Sequence, residues 1–125
     1  MRTREVLVVD DSKVMREMLI ACLRGEPALS FVQAGSGLEA IEQLSLRNFD
    51  LVLLDVNMPD IGGVEVVEFI RGQDQLRLLP VVIVTTRGDD VTRNRVMAAG
   101  ASRFVTKPFT PDSILAEIRT LLPAA

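Results

Sequence analysis

The sequence contains no histidine and only one cysteine, Cys22. Without histidine, imidazole-based catalysis is excluded and carboxylate oxygens remain as metal donors, and these favour hard cations such as Mg²⁺. One cysteine cannot form an internal disulfide, so we expect a reducing, cytoplasmic setting. Cys22 lies in the apolar stretch 19–23, which favours packing in the core over a reactive role.

Long apolar runs and an excess of positive charge are also missing. No run approaches the roughly 18 apolar residues of a membrane span, and the opening residues 1–5 do not read as a signal peptide. The net charge is −3, with 14 Lys and Arg against 17 Asp and Glu, which argues against direct nucleic-acid binding. A length of 125 residues with 48% hydrophobic residues predicts one domain, 1–125.

Short apolar runs each end in a polar residue with reactive potential. They are residues 6–9 before Asp10 and Asp11, 51–54 before Asp55, 81–84 before Thr85 and Thr86, and 104–106 before Lys107 and Pro108. Continuous apolar runs are typical of strands buried on both faces, as in a parallel sheet covered by helices. Ligands bind such sheets outside the carboxyl ends of the strands. We therefore expect these polar residues to meet at one edge.

Strand and helix patterns alternate along the chain and predict a (βα)₅ α/β fold with right-handed crossovers. Strands are expected at about 5–10, 29–34, 50–55, from 80 onward and at 103–106, and helices beginning near Ser12, Ser36, Val64, Asp89 and Thr110. In the first helix, the spacing of Met15, Met18, Leu19 and Cys22 predicts the buried face.

Asp10, Asp11 and Asp55 form the predicted metal site. At 4 Å and an effective dielectric constant of about 20, each pair of carboxylates repels by about 4 kcal/mol. A bound divalent cation would offset that repulsion. In the alternative interpretation, Asp10 or Asp11 only caps the helix that follows.

Asp55 is the candidate nucleophile, because carboxylates attack phosphorus to give acyl phosphates. Such a reaction needs charge neutralisation on the phosphoryl oxygens. Lys107 can supply a point charge and Thr85 a hydroxyl hydrogen bond. The alternatives are a solvated loop lysine at Lys107 and an ordinary β-branched strand residue at Thr85, and the neighbouring Thr86 leaves the choice of hydroxyl open.

At these residues the chain resembles the receiver domain of bacterial two-component response regulators. The resemblance is carried by Asp10–Asp11, Asp55 to Pro59 with Gly63, Thr85, residues 99–101 and residues 107–109. It implies a flavodoxin-like, CheY-like doubly wound parallel sheet with strand order 2-1-3-4-5. It also implies that this is a signalling module rather than an enzyme.

The resemblance implies a role for each site residue. Asp55 would accept a phosphoryl group from a histidine kinase, CheA-like or other. The side chains of Asp11 and Asp55 and the backbone carbonyl of Asn57 would bind Mg²⁺, with Asp10 helping through water. The Lys107–Pro108 peptide bond would be cis.

Within the family, residues 11–16 and Asn57 are most similar to chemotaxis regulators of the CheY type. Thr85 and Phe104 would be the switch pair of a monomer, shifting a face of the fourth helix, fifth strand and fifth helix on which an output protein docks. Phe104 lacks the hydroxyl of the tyrosine common there, and Arg87 replaces an acidic residue. The flagellar motor is therefore left open as the target.

Other functions are compatible with parts of the pattern. The chain could be the receiver of a larger regulator or hybrid kinase. A small aspartyl-phosphate phosphatase of the haloacid dehalogenase class also uses Asp, Thr, Lys and Mg²⁺, but its nucleophile usually lies in an Asp-x-Asp pair on the first strand. Arg87, Arg93, Arg95 and Arg103 form either a solvated rim or a partner-docking face.

Overall fold

A computed structural model describes residues 3–58 and 60–122, and the strands and helices alternate along them. The strands are β1 (Arg4–Val9), β2 (Leu29–Ala34), β3 (Leu51–Leu54), β4 (Val81–Thr85) and β5 (Arg103–Thr106). The helices are α1 (Lys13–Leu23), α2 (Gly37–Leu46), α3 (Gly63–Gly72), α4 (Asp90–Ala99) and α5 (Pro111–Arg119). A short 3₁₀ helix at Asp74–Leu76, which the sequence pattern did not predict, follows α3.

The strands form one parallel sheet in the order β2-β1-β3-β4-β5, which confirms the predicted fold class. In register, Val9 pairs with Leu54, Leu54 with Ile83, and Thr85 with Thr106. The last residues of β1 and β3 therefore lie side by side, as do those of β4 and β5, and β4 extends two residues beyond the end of β3. The polar residues that follow these strands consequently share one edge of the sheet.

The sheet is buried on both faces because its central strands are apolar at consecutive positions. On one face, Leu7 and Val9 pack in a cluster with residues of α2, α3 and α4, whereas Val6 and Val8 pack on the other face with residues of α1 and α5. Burial of each such side chain contributes about 1.5–3 kcal/mol relative to exposure. The two clusters fix the sheet edge on which the site is built.

Side-chain caps define where the helices begin. Ser12, Ser36, Asp89 and Thr110 each accept a backbone N–H from the first turn of α1, α2, α4 and α5 respectively. Gly100 ends α4 with φ 118°, a left-handed conformation that glycine adopts without a Cβ clash. These starts and this end agree with the sequence predictions.

The predicted buried face of α1 was wrong in part. Leu19, Ile20 and Leu23 are the buried residues of α1, whereas Met18 is 50% exposed and Cys22 is half-buried against the core. Apolar residues surround much of this helix, so periodicity alone did not fix its rotation. Half-burial raises the pKa of the Cys22 thiol, in keeping with a packing role.

None of the helices in the described residues has the length and apolar character needed to cross a membrane.

Candidate functional site

Three carboxylates gather at the carboxyl edge of the sheet. Asp10 and Asp11 directly follow β1, Asp55 directly follows β3, and one oxygen of each lies within 4.8 Å of the others. Asp10 and Asp55 are buried, whereas Asp11 is exposed. The predicted grouping of these residues is therefore present, with its third carboxylate open to solvent.

Lys107 reaches into the carboxylate group from the loop after β5. Its Nζ lies 2.7 Å from Oδ2 of Asp10 and 3.6 Å from Oδ2 of Asp55. The lysine side chain is only 9% exposed, so the alternative of a solvated loop lysine is wrong. The Lys107–Pro108 peptide bond is cis, as expected.

Asp10 is held by contacts on both its side chain and its backbone. Its Oδ1 accepts the backbone N–H of Ser12 at 2.9 Å, and its carbonyl oxygen accepts from the Arg16 guanidinium at 2.6 Å. Arg16 also donates to the side chain of Gln33 in β2. The N-cap of α1 is Ser12, so helix capping is not the role of Asp10 or Asp11. No sequence signal identified Arg16, because its contacts depend on how α1 crosses β2.

The pKa of Asp55 is raised above its ordinary value, chiefly because burial penalises the charged carboxylate. The backbone N–H of Asn57 (3.2 Å from Oδ1) and the Lys107 charge act in the opposite direction, while the charge on Asp10 raises the pKa further. The carboxylate is thus poorly solvated and incompletely neutralised. A further cation at this position would favour its charged form.

The donor set fits a hard divalent cation. Every side-chain donor in the group is a carboxylate oxygen, and the chain offers no histidine. Such oxygens suit Mg²⁺, which keeps several waters and takes few protein ligands. The exposed Asp11 leaves the group accessible from solvent.

Thr85 closes the site from the neighbouring strand. It is fully buried at the end of β4, its Oγ1 accepts the backbone N–H of Arg87 at 3.2 Å, and hydrogen bonding from its side chain lowers the pKa of Asp55. Thr86 is exposed and lines an apolar groove together with Lys107, Pro108 and Phe109. The structure thus selects Thr85 as the hydroxyl at the site.

Phe104 lies on β5, on the same face of the sheet as Thr85. Its register partner is Ile83, two residues before Thr85, and side chains two apart in a strand share a face. The half-buried ring packs against the cluster that includes Val96 of α4, and the Arg93 guanidinium lies 5.4 Å from its centre. Phe104 is therefore neither a fully buried core residue nor a free surface ring.

The basic residues near α4 and β5 make local contacts. Arg87 lies 3.9 Å from Asp89, Arg103 lies 3.6 Å from Glu117 of α5, and Arg93 covers the Phe104 ring. All four arginines, including Arg95, are exposed. The face formed by α4, β5 and α5 is thus a mosaic of both charges.

The loop from β3 to α3 carries the remaining predicted ligand. Asn57 is half-buried in it, and Pro59 of the same motif lies outside the described residues. Asp60 accepts the backbone N–H groups of Gly37 and Leu38 at the start of α2. Sequence analysis missed this contact, because residues 37 and 60 are brought together only by packing.

Comparison with known proteins identifies the family. A family model described as "Response regulator receiver domain" matches residues 6–119. The chain is 33% identical over 119 residues to the phosphate regulon transcriptional regulatory protein PhoB of Escherichia coli, covering 95% of this chain and 52% of PhoB. It is 33% identical over 121 residues to the transcriptional regulatory protein ResD of Bacillus subtilis, covering 97% of this chain and 49% of ResD.

Among solved structures, the chemotaxis response regulator CheY4 of Vibrio cholerae superimposes with a TM-score of 0.88 at 32% identity, covering 96% of this chain and 99% of CheY4. The chain spans about half the length of the curated relatives it matches. Fold, motif order and sequence similarity agree, and the chain belongs to the response regulator receiver domain family.

Proposed function

We propose that this protein is a phosphorylation-activated switch in which Asp55 accepts a phosphoryl group from a histidine kinase with Mg²⁺. The observation that carries the proposal is the position of the Lys107 ammonium, 2.7 Å from Asp10 and 3.6 Å from Asp55. One cation and three carboxylates at the end of a buried sheet provide a nucleophile, a metal site and a charge for a phosphoryl oxygen.

In the proposed reaction, an oxygen of Asp55 attacks the phosphorus of a phosphohistidine on the kinase. The new O–P bond forms as the P–N bond breaks, and the leaving imidazole nitrogen keeps the electron pair and takes up a proton from solvent. Mg²⁺, held by Asp11, Asp55 and the carbonyl of Asn57, with Asp10 helping through water, would neutralise charge on the phosphoryl oxygens.

Lys107 and Thr85 would each contact the phosphoryl group on Asp55. The Lys107 ammonium is already within 3.6 Å of the Asp55 carboxylate and would pair with a phosphoryl oxygen bonded there. The Thr85 hydroxyl would donate a hydrogen bond to another of these oxygens. Neither residue activates the nucleophile, because a carboxylate needs no base to attack.

The output would come from the face formed by α4, β5 and α5. Phosphorylation adds about −1.5 to −2 charge at Asp55. Thr85 would follow the new oxygens, and Phe104, on the same face of the sheet, would move inward with it. The result is a shift between two populated conformations rather than a new fold.

The partners proposed are a histidine kinase as phosphodonor and a protein output target. Family membership supports the kinase, since receiver domains accept phosphate from histidine kinases. The likeness to CheY4 supports a chemotaxis-type output, whereas the likeness to PhoB and ResD supports a receiver linked to a further domain. A cytoplasmic location and a monomeric state stay predictions.

Intact-mass measurement after incubation with acetyl phosphate and Mg²⁺ tests the proposal. The parent should gain one phosphoryl group, and Asp55→Asn should gain none. Asp112→Asn, an exposed carboxylate in α5, is the matched control and should behave as the parent. A full equivalent of phosphate on Asp55→Asn would place the nucleophile elsewhere.

Two further measurements separate the alternatives. An immunoblot of source cells should show either a band near 13.7 kDa for a single receiver or a longer product for a larger regulator. Incubation with a small phosphomonoester and Mg²⁺ should show no multiple turnover. Sustained turnover that Asp55→Asn abolishes would instead support the phosphatase alternative.

A further inference from the structure

The loop between β3 and α3 is fixed at both of its ends. The Asp55 N–H donates to the carbonyl of Val9 at 3.0 Å, and the Gly63 N–H donates to the carbonyl of Val56 at 3.1 Å. Between these points lies Asn57, whose N–H donates to Asp55. A backbone carbonyl binds a metal at lower entropic cost when its loop is already held in one conformation, so an anchor within this loop would favour metal binding.

Asp60 provides that anchor by binding the start of α2. Its Oδ1 accepts the N–H of Gly37 at 3.2 Å and its Oδ2 accepts the N–H of Leu38 at 3.0 Å. The first N–H groups of a helix have no partner within the helix, and the helix dipole favours a carboxylate there. These bonds, the one from Leu38 foremost, hold the pKa of Asp60 below its ordinary value.

A second contact joins the same two segments independently of the Asp60 side chain. A Cβ built on Gly37 would lie 2.3 Å from the carbonyl oxygen of Ile61 and 2.8 Å from its Cβ. The backbone of the loop therefore presses directly on the first turn of α2. Glycine is required at position 37 by this close approach.

We propose that Asp60 is a positioning residue for the metal site, acting through the loop that carries Asn57. Asp60 lies three residues after Asn57, and its two bonds to α2 tie the middle of the loop to a helix packed on the core. Without these two bonds the loop loses part of its attachment to α2, and ordering it on metal binding then costs more conformational entropy. The inference rests on the proposed Mg²⁺ function.

Ser36 supplies a matched control for Asp60. Its Oγ accepts the N–H of Glu39 at 3.1 Å, so it caps the same helix through a bond made within the first turn of α2. Ser36→Ala and Asp60→Ala should both lower the urea midpoint, because each removes a cap from α2. Only Asp60→Ala should weaken Mg²⁺ binding, by roughly tenfold, the lower end of the range for residues that orient metal ligands.

The experiment is a MgCl₂ titration of each purified variant, followed by amide shifts in ¹H–¹⁵N spectra because the chain has no tryptophan. The shift of the Asn57 amide reports the loop itself. Gly37→Ala is a second variant that keeps the Asp60 carboxylate and introduces a better helix former. It should also weaken Mg²⁺ binding, since its Cβ must displace Ile61.

Each outcome decides the question. Parent-like Mg²⁺ affinity in Asp60→Ala overturns the inference whatever Gly37→Ala shows, as does an equal loss of affinity in Ser36→Ala. If Asp60→Ala does not fold, Asp60→Asn and Gly37→Ala decide in its place. Absence of Mg²⁺ binding by the parent, or unchanged binding by Asp11→Asn, would contradict the proposed function itself rather than the role of Asp60.

Discussion

At the residue scale, Thr85 connects the Asp55 carboxylate to the remainder of the sheet. It is fully buried, it contributes to the pKa of Asp55, and it shares a sheet face with Phe104. Its Oγ1 accepts the Arg87 N–H, and its hydroxyl donates toward the Asp55 carboxylate, the group that would carry the phosphoryl oxygens. In the proposed function, Thr85 would therefore be a sensor of the phosphoryl group rather than part of the attack.

We predict that Thr85→Ala leaves phosphorylation of Asp55 largely intact but uncouples it from Phe104. Loss of the hydroxyl removes about 1 kcal/mol of hydrogen bonding that differs between the two states. Amide shifts across residues 86–107 with and without a beryllofluoride mimic measure the coupling. Thr86→Ala, with its exposed hydroxyl, is the control and should keep the parent response. Equal shifts at Phe104 in Thr85→Ala and the parent would refute the switch.

Single residues also show what the sequence could and could not predict about the site. The sequence predicts that Asp10, Asp11, Asp55, Thr85 and Lys107 lie together, because each is at or just after the end of a predicted strand of a parallel sheet. The contacts of Arg16 with Asp10 and of Asp60 with Gly37 were not predictable. Both depend on the distance between neighbouring elements, which no periodicity in the sequence encodes.

At the element scale, α4 is the helix that would transmit the switch, and it buries few of its residues. Thr92 and Val96 are its buried residues. Asp89 caps it by accepting the N–H of Thr92 at 3.0 Å and the Thr92 hydroxyl at 2.9 Å. These bonds, the backbone one foremost, lower the pKa of Asp89. The charged cap therefore favours the folded helix.

A lowered pKa in the folded state fixes the sign of the pH dependence. The Asp89 contribution is fully present above its unfolded-state pKa and is lost as the pH falls through the folded-state value. Asp89→Ala should thus lower the urea midpoint at pH 7, and the difference from the parent should shrink toward pH 3. Glu42→Ala, an exposed carboxylate within α2, is the control. A difference that grows on acidification would contradict the capping role.

Boundaries at this scale were predicted well where caps and glycines mark them, as at Ser36 and Gly100. The rotation of α1 was not predicted correctly, because apolar residues lie on several sides of that helix. Packing against the sheet and α5 determines which of these sides is buried. The 3₁₀ helix at Asp74–Leu76 could not be predicted, because its three residues are too few to show a periodic pattern of apolar residues.

At the scale of the whole molecule, the cluster of Asp10, Asp11 and Asp55 that forms the candidate site also lowers the stability of the fold. Burial raises the pKa of Asp55, so keeping it charged at neutral pH costs folding free energy. Lys107 offsets part of this cost and is shared with Asp10. The metal-free receiver therefore retains unfavourable charge at the edge of its sheet, and ligands that neutralise it should stabilise the fold.

The cost of the buried Asp55 charge predicts that Mg²⁺ changes which protein is the more stable, the parent or Asp55→Asn. In EDTA at pH 7, Asp55→Asn should be the more stable, by on the order of 1 kcal/mol, because it removes a buried charge while Lys107 keeps Asp10 as a partner. The pKa of Asp55 is raised in the folded protein. The stability penalty of its charge is therefore absent below the pKa of Asp55 in the unfolded chain, and it is complete once the pH has risen through the folded-state pKa. The advantage of the variant should therefore shrink toward pH 3.

Mg²⁺ at about 100 times its dissociation constant should stabilise the parent by about 2.7 kcal/mol, since it binds the folded state alone. Asp55→Asn lacks one carboxylate ligand and should gain much less, so that the parent becomes the more stable protein. Urea denaturation followed by circular dichroism measures the stability of both proteins in EDTA and in MgCl₂. Asp112→Asn should be as stable as the parent in each condition. A variant less stable than the parent in EDTA would show that the Asp55 charge is already fully compensated by Lys107 and the Asn57 N–H, and that metal binding relieves no stored repulsion.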